Sequence, residues 1–268
     1  MSYSNSRINP SFLSRPPFWS RIFSVWYRHM RVYTKHLISN GFPPFLEPLI
    51  FLAGIGLGLG IYIKEMDGIP YIAFLSSGLL MTTAMFTASF ECTFGTYIRL
   101  EFDKVYDGML ASPLTAENLL IGEIIWAGTK GLFFSFAVLI IISAFGILPF
   151  YPTVLTPLLG FFTGIMFGSF SLFITSFINN INHFNFYFTG FLSPMFFFSG
   201  IVFPLQNLPA FLRPISEVFP LTHSVRLTRA ICIKGFSIIN LFDLVYIIGF
   251  IIIFSTLAVL RLKKRLID

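Results

Sequence analysis

Charge is scarce in this chain. Of 268 residues only 11% are Asp, Glu, Lys or Arg, under half of the roughly 25% in an ordinary globular domain, and none falls in the 82 positions from Gly131 to Leu212. A soluble enzyme of ordinary type is excluded. Cysteine is rarer still: Cys92 and Cys232 stand 140 positions apart with no CxxC or Cys/His spacing, so neither a disulfide framework nor zinc is indicated. No GxSxG or HExxH occurs, and the histidines at 29, 36, 183 and 223 lack metal-ligand spacing. There is also no GxxxxGK[ST] loop for ATP. Neither catalysis nor a metal or nucleotide bound by this chain is expected.

What remains is apolar. Hydrophobic residues make up 55% and Phe alone contributes 36, and about 20 apolar residues in a helix cross the hydrocarbon layer. The expected fold class is an all-α polytopic membrane protein. Six spans are read: Phe42 to Ile63, Ile69 to Ile98, Leu119 to Leu148, Val154 to Ile178, Phe184 to Phe203 and Ile238 to Leu260. Polar or Pro-containing breaks separate them: Lys64 to Gly68, Pro149 to Pro152 and Asn179 to His183. Arg99 to Glu117 brings six charges into nineteen residues, the longest polar stretch between spans. Leu205 to Ser237 is too apolar for an ordinary loop, and Pro204, Pro209, Pro214 and Pro220 cut it into short pieces. Half-helices dipping into the outer leaflet fit it, because irregular backbone at membrane depth is tolerated under protein cover or beside a watery cavity.

The net charge of +6 comes from basic residues that mostly lie at the two ends, which suits a membrane surface rather than nucleic acid. Six lie in the N-terminal tail, two after span two and four in the C-terminal tail, against Lys64, Arg213, Arg226, Arg229 and Lys234 on the other side. Both termini are therefore expected in the cytoplasm. Arg15, Arg21, Arg28, Arg31 and Lys35 interrupt the N-terminal segment, so no cleaved signal peptide is expected. Residues 1–41 read as a cytoplasmic tail with an amphipathic helix and 42–268 as the transmembrane domain. In that helix Trp19, Ile22, Phe23, Trp26, Met30, Tyr33 and Leu37 fall within about 100° of arc, opposite the basic residues. It either lies on the leaflet or packs on the protein's own spans.

Gly54, Gly56, Gly58 and Gly60 form two small-xxx-small faces in span one, which let another helix approach from this chain or a second copy. Glu47, Glu91, Glu123 and Lys130 are singled out as ionisable residues inside spans, each expensive at the bilayer centre. The three acids fall near cytoplasmic span ends, where headgroups relieve the cost. Lys130, about two turns deeper, either snorkels or pairs with one of them.

Several stretches then read together: Glu47-Pro48-Leu49-Ile50 running into the Gly-rich span, Tyr71 to Leu75, Phe90-Glu91, Arg99-Leu100-Glu101, Asp107-Gly108-Met109-Leu110, Leu119 to Glu123, and Trp126 to Lys130. Leu192 to Gly200, Phe203-Pro204 and Pro220-Leu221-Thr222-His223-Ser224 complete the set. From Trp19 onward this pattern resembles the ABC type 2 exporter permeases, and within them the NodJ-like branch associated with export of lipid-linked oligosaccharides. The resemblance implies a six-span inner-membrane permease that forms a homodimer, moves an amphiphilic substrate, and works with two copies of a separate ATPase that holds the ATP and Mg. It implies a coupling helix between spans two and three, here Leu100, Glu101, Phe102, Asp103, Tyr106, Asp107, Gly108, Met109 and Leu110. Phe102, Tyr106, Met109 and Leu110 recur at i, i+4, i+7 and i+8, an apolar face for the ATPase. Re-entrant helices before the last span would involve Gly200, Phe203, Pro204, Pro220 and His223. The alternative is a proton-coupled carrier or channel acting without an ATPase.

Overall fold

The computed structural model describes residues 16–267, with the side chains at 43–45, 47, 234 and 267 outside the description. Helix α1 (Phe18–Lys35) starts directly after Pro17 and buries Ile22, Val25 and His29. These meet helix α5 (Ala116–Ala144) at Gly122, where a Cβ would stand 2.6 Å from Val25 Cγ1. Trp26 Nε1 donates to Thr129 Oγ1 at 2.9 Å. Trp19, Phe23, Tyr27 and Met30 stay exposed. One face of α1 packs on the protein's own helices, the second of the two readings of this helix, and the opposite face is exposed.

Helix α2 (Leu37–Phe51) continues through a π segment, Leu52–Leu57, to Gly60. Gly56 packs inward, with Ile72 and Leu75 near a Cβ added there, whereas Gly54, Gly58 and Gly60 face open space. The polar turn after it forms a two-residue antiparallel ladder, Glu65–Met66 with Ile69–Pro70. Asp67 and Gly68 both have positive φ, at 56° and 77°, as a type I′ hairpin turn requires.

Helix α3 (Tyr71–Phe102) is almost wholly enclosed by its neighbours. Lys104, at φ 49°, turns the chain into the short helix α4 (Val105–Leu110). Thr115 then caps α5 by accepting from the Asn118 amide. Helix α6 (Thr156–Thr175) lies so close to α5 that a Cβ on Gly131 would come 2.4 Å from the Gly160 carbonyl oxygen and 3.0 Å from Gly164 Cα. Gly131→Ala should therefore destabilise the protein by about 1–3 kcal/mol through overpacking. Gly190→Ala, which meets nothing within 4 Å, should not, and thermal unfolding of the two purified variants checks the contrast.

Helix α7, residues 184–198, is interrupted by a π segment, Phe188–Leu192. It is followed by the short helices α8 (Arg213–Val218) and α9 (Pro220–Arg229) and the long α10 (Ile238–Ile267). The segment from 205 to 237 is thus broken into short helices. Among the described residues four helices are long and apolar enough to cross a membrane: Tyr71–Phe102, Ala116–Ala144, Phe150–Thr175 and Ile238–Leu266. The first expected span is represented by a shorter apolar helix, Pro48–Gly60. The fifth ends at Phe198, five residues before its expected limit, and Gly200 follows in the left-handed region at φ 78°. An all-α membrane protein is what the chain folds into.

The basic end of α10 is tied to one end of this bundle. Arg265 donates to the carbonyls of Thr175 and Ile178 at 2.9 and 2.7 Å and to Glu101 at 2.8 Å, while Lys263 reaches Glu117 at 2.7 Å. The close of α10, the exit of α6, the α3–α4 turn and the start of α5 therefore share that end.

Candidate functional site

Three of the expected intramembrane charges, Glu91, Glu123 and Lys130, converge where α1, α3, α4 and α5 meet. Arg99 is the centre: Nη1 donates to Glu91 Oε1 at 2.7 Å and Nη2 to Glu123 Oε2 at 2.8 Å. Lys130 Nζ donates to the other Glu91 oxygen at 2.8 Å and lies 5.0 Å from the centre of the Tyr33 ring. Tyr106 Oη donates to Glu123 Oε1 at 2.6 Å. His29 Nε2 sits 2.9 Å from that same oxygen, out of line for a hydrogen bond, and its ring stacks on Trp126.

Two carboxylates and two cations balance. That balance, rather than headgroup exposure, is what makes the burial tolerable, since Glu123 is 0% exposed and Glu91 only 12%. A buried ion pair survives desolvation when geometry is good and the remaining lone pairs are satisfied. Lys130 pairs instead of snorkelling. Burial and then the neighbouring Glu123 carboxylate push the Tyr106 phenol well above its usual range, so it stays a neutral donor.

His29, Glu91 and Glu123 bring ligand atoms within 4.8 Å of one another, a spacing that would suit a metal. Arg99 and Lys130 already face both carboxylates, so a divalent ion would have to displace two cations. The donor set does not favour it.

Arg99 and His29 escaped the sequence reading. Arg99 lies eight residues after Glu91 in the same helix, which in regular α-helix leaves them about 80° apart around the axis and about 12 Å apart along it. The π segments Glu91–Gly95 and Ile98–Phe102, hydrogen-bonded i→i+5, widen the turns and put both on one side. An Arg at the rim of a span that holds a Glu was the available signal.

The coupling segment divides differently from its apolar periodicity. Tyr106 is fully buried inside the chain and is not a side chain left for a partner. Leu100 is buried, and Met109 and Leu110 are half-buried against the core. Phe102, at 64% exposure, and Asp103, Asp107 and Gly108 are presented outward, while Glu101 is held by Arg265. Glu47 lies outside the described side chains.

At the opposite end Pro220 opens α9 at its first turn. His223 Nδ1 lies 2.7 Å from Asp243 Oδ1, with Nε2 against the Glu217 carbonyl at 2.9 Å, and Arg226 reaches the same Asp243 oxygen at 3.0 Å. Asp243, fully buried in α10, is a further intramembrane acid that the reading of the spans passed over. Gly200 packs against Leu205, Pro204 opens a single 3-10 turn, and Phe203 lies in the bend before it.

Beside the charge cluster, α2, α3 and α7 enclose a groove of about 610 Å³. Phe51, Phe86, Phe90 and Phe196 form its walls, Thr82, Thr83 and Thr87 add hydroxyls, and Lys130 stands at its edge. An elongated molecule with both apolar and polar parts matches such a lining.

The sequence model of the ABC-2 type transporter family matches residues 20–233. Nodulation protein J of Sinorhizobium fredii (strain NBRC 101917 / NGR234) is 35% identical over 79% of this chain and 80% of its own length. The protein of the same name from Rhizobium meliloti (strain 1021) is 30% identical over 80% and 81%. Inner membrane transport permease YadH of Escherichia coli (strain K12) is 23% identical over 88% and 91%. The match starts inside α1 and runs across the buried charge cluster, the groove and the broken helices to the threshold of α10, and on that extent the chain belongs to the ABC-2 type transporter family.

Proposed function

We propose that this chain is the permease subunit of an ATP-driven exporter in the bacterial inner membrane, moving an amphiphilic molecule such as a lipooligosaccharide outward. The observation that carries this reading is the junction of α4 with the buried charges: Tyr106 is bonded to Glu123, Glu123 to Arg99, Arg99 to Glu91, and Glu91 to Lys130 at the groove. A displacement of α4 that stretched any one of these bonds would leave a charge or donor buried without its partner, which costs several kcal/mol. Moving α3 and α5 with α4 avoids that cost. A push on the exposed face of α4 is thereby passed to the helix that walls the groove.

In this reading a separate ATPase, two copies per assembly, binds ATP and Mg and docks on Phe102, Asp103, Asp107 and Gly108. Residues 37–60 and 184–203 complete six crossings, both termini are cytoplasmic, and 205–237 lies on the outer side. The open face of α2, with Gly54 and Gly58, meets a second copy of the chain. The groove takes the apolar part of the substrate against its Phe walls.

Affinity purification of the tagged chain from its own membranes in mild detergent tests the reading. A co-purifying subunit with a phosphate-binding loop, whose ATP hydrolysis is coupled to substrate extrusion in reconstituted vesicles, is the expected result. Transport by the chain alone, driven by a proton gradient without ATP, would replace it with a secondary carrier.

A further inference from the structure

A second cavity, about 580 Å³, lies at the other end of the bundle among the turns after α7, the helices α8 and α9 and the start of α10. Three arginines line it, Arg213, Arg226 and Arg229, against two carboxylates, Asp67 and Glu217. Arg226 is spent on Glu217, through bonds of 2.5 and 2.6 Å, and on Asp243. The other two guanidiniums are hydrogen-bonded by neutral acceptors, and Asp67 also acts on Arg229 through its charge. Arg213 donates to the carbonyls of Leu208 and Gln206 at 3.0 and 2.7 Å. Arg229 donates to Ser77 Oγ and to the carbonyls of Phe74 and Ile201 at 3.2 to 3.4 Å, with its guanidinium 3.6 Å from the centre of the Phe74 ring. Among the described residues neither is in ion-pair contact with a carboxylate.

A further donor waits in the same wall. Ser199, 1% exposed, lines the cavity, and among the described residues its buried hydroxyl has no hydrogen-bond partner. A buried hydroxyl with no partner costs free energy that a ligand accepting its proton would recover. Two fork-shaped cations fixed by carbonyls and a ring, together with this idle hydroxyl, are the donor set that planar or tetrahedral oxyanions bind. Asp67 limits how a ligand sits, because the anion has to turn toward the arginines and away from that carboxylate.

We infer that this cavity is a binding site for a phosphate-type oxyanion, with Arg213, Arg229 and Ser199 as its donors. The anion is either a free phosphate or the headgroup of an anionic lipid. The site is separate from the groove beside Lys130.

The full chain, purified in a neutral alkyl maltoside, is titrated with inorganic phosphate, with short-chain phosphatidylglycerol, and with phosphatidylcholine of the same chain length. Saturable binding of phosphate identifies the free anion, and binding of phosphatidylglycerol alone identifies the lipid headgroup. Arg213→Gln should weaken binding about tenfold, the loss of one charge-assisted hydrogen bond. Arg229→Lys keeps the charge that the fold surrounds but breaks the fork, and should weaken it as well. Ser199→Ala, which removes only the idle hydroxyl, should weaken binding without lowering thermal stability. The proposal is overturned if neither anion binds, if phosphatidylcholine binds as tightly as phosphatidylglycerol, or if folded Arg213→Gln and Arg229→Lys bind like the unaltered chain.

Discussion

Glu123→Leu should destabilise this protein by about 3–5 kcal/mol, the cost of removing one partner from a buried ion pair and a large part of the 5–15 kcal/mol that typically holds a domain together. Glu123 takes up one arm of Arg99 and the Tyr106 hydroxyl. Without it, Glu91 alone faces both Arg99 and Lys130, and one buried positive charge is uncompensated. Adding Arg99→Met removes that excess and leaves the Glu91–Lys130 pair intact. Since apolar replacement of a whole buried pair is often nearly neutral, the double variant should regain most of the lost stability, and a double-mutant cycle on thermal unfolding in detergent measures the coupling. Export is expected to stay lost in the refolded double variant, because α4 is then no longer bonded to α3. A Glu123→Leu protein as stable as the original would mean that the cluster holds nothing together. A double variant that exports at the original rate would mean that it transmits nothing.

Phe102→Asp should abolish capture of the ATPase without disturbing the fold. Its ring is largely exposed at the α3–α4 junction, and removal of an aromatic anchor from an interface commonly costs 2 kcal/mol or more, about thirtyfold in affinity. Tyr106→Phe is the informative counterpart. It keeps the buried ring and deletes only the bond to Glu123, so the ATPase should remain bound while export per ATP hydrolysed falls. Co-purification and transport measured on the same vesicles separate the two effects. If Phe102→Asp retains the ATPase at full stoichiometry, the docking surface lies elsewhere.

Composition alone decided that this chain lives in lipid, and local pattern decided where its helices break. The polar turn at 64–68, the proline-divided stretch at 205–237, the amphipathic face of α1 and the charged run after α3 were all legible, because each depends on residues within a few turns of one another. Family likeness was legible too, since its motifs are short contiguous strings. Which charge meets which was not. Glu91 and Lys130 are 39 residues apart, and His29 reaches Glu123 from a helix that only Gly122 allows to come close. The burial of Tyr106 reversed the direction its periodicity suggested, because periodicity defines a face without saying whether the protein or a partner covers it. The wide turns that align Arg99 with Glu91, and the meeting of His223 with Asp243, are likewise products of the packed bundle. Low dielectric makes each buried charge seek a counter-charge wherever the assembled helices bring one, and that position exists only once the tertiary structure has formed.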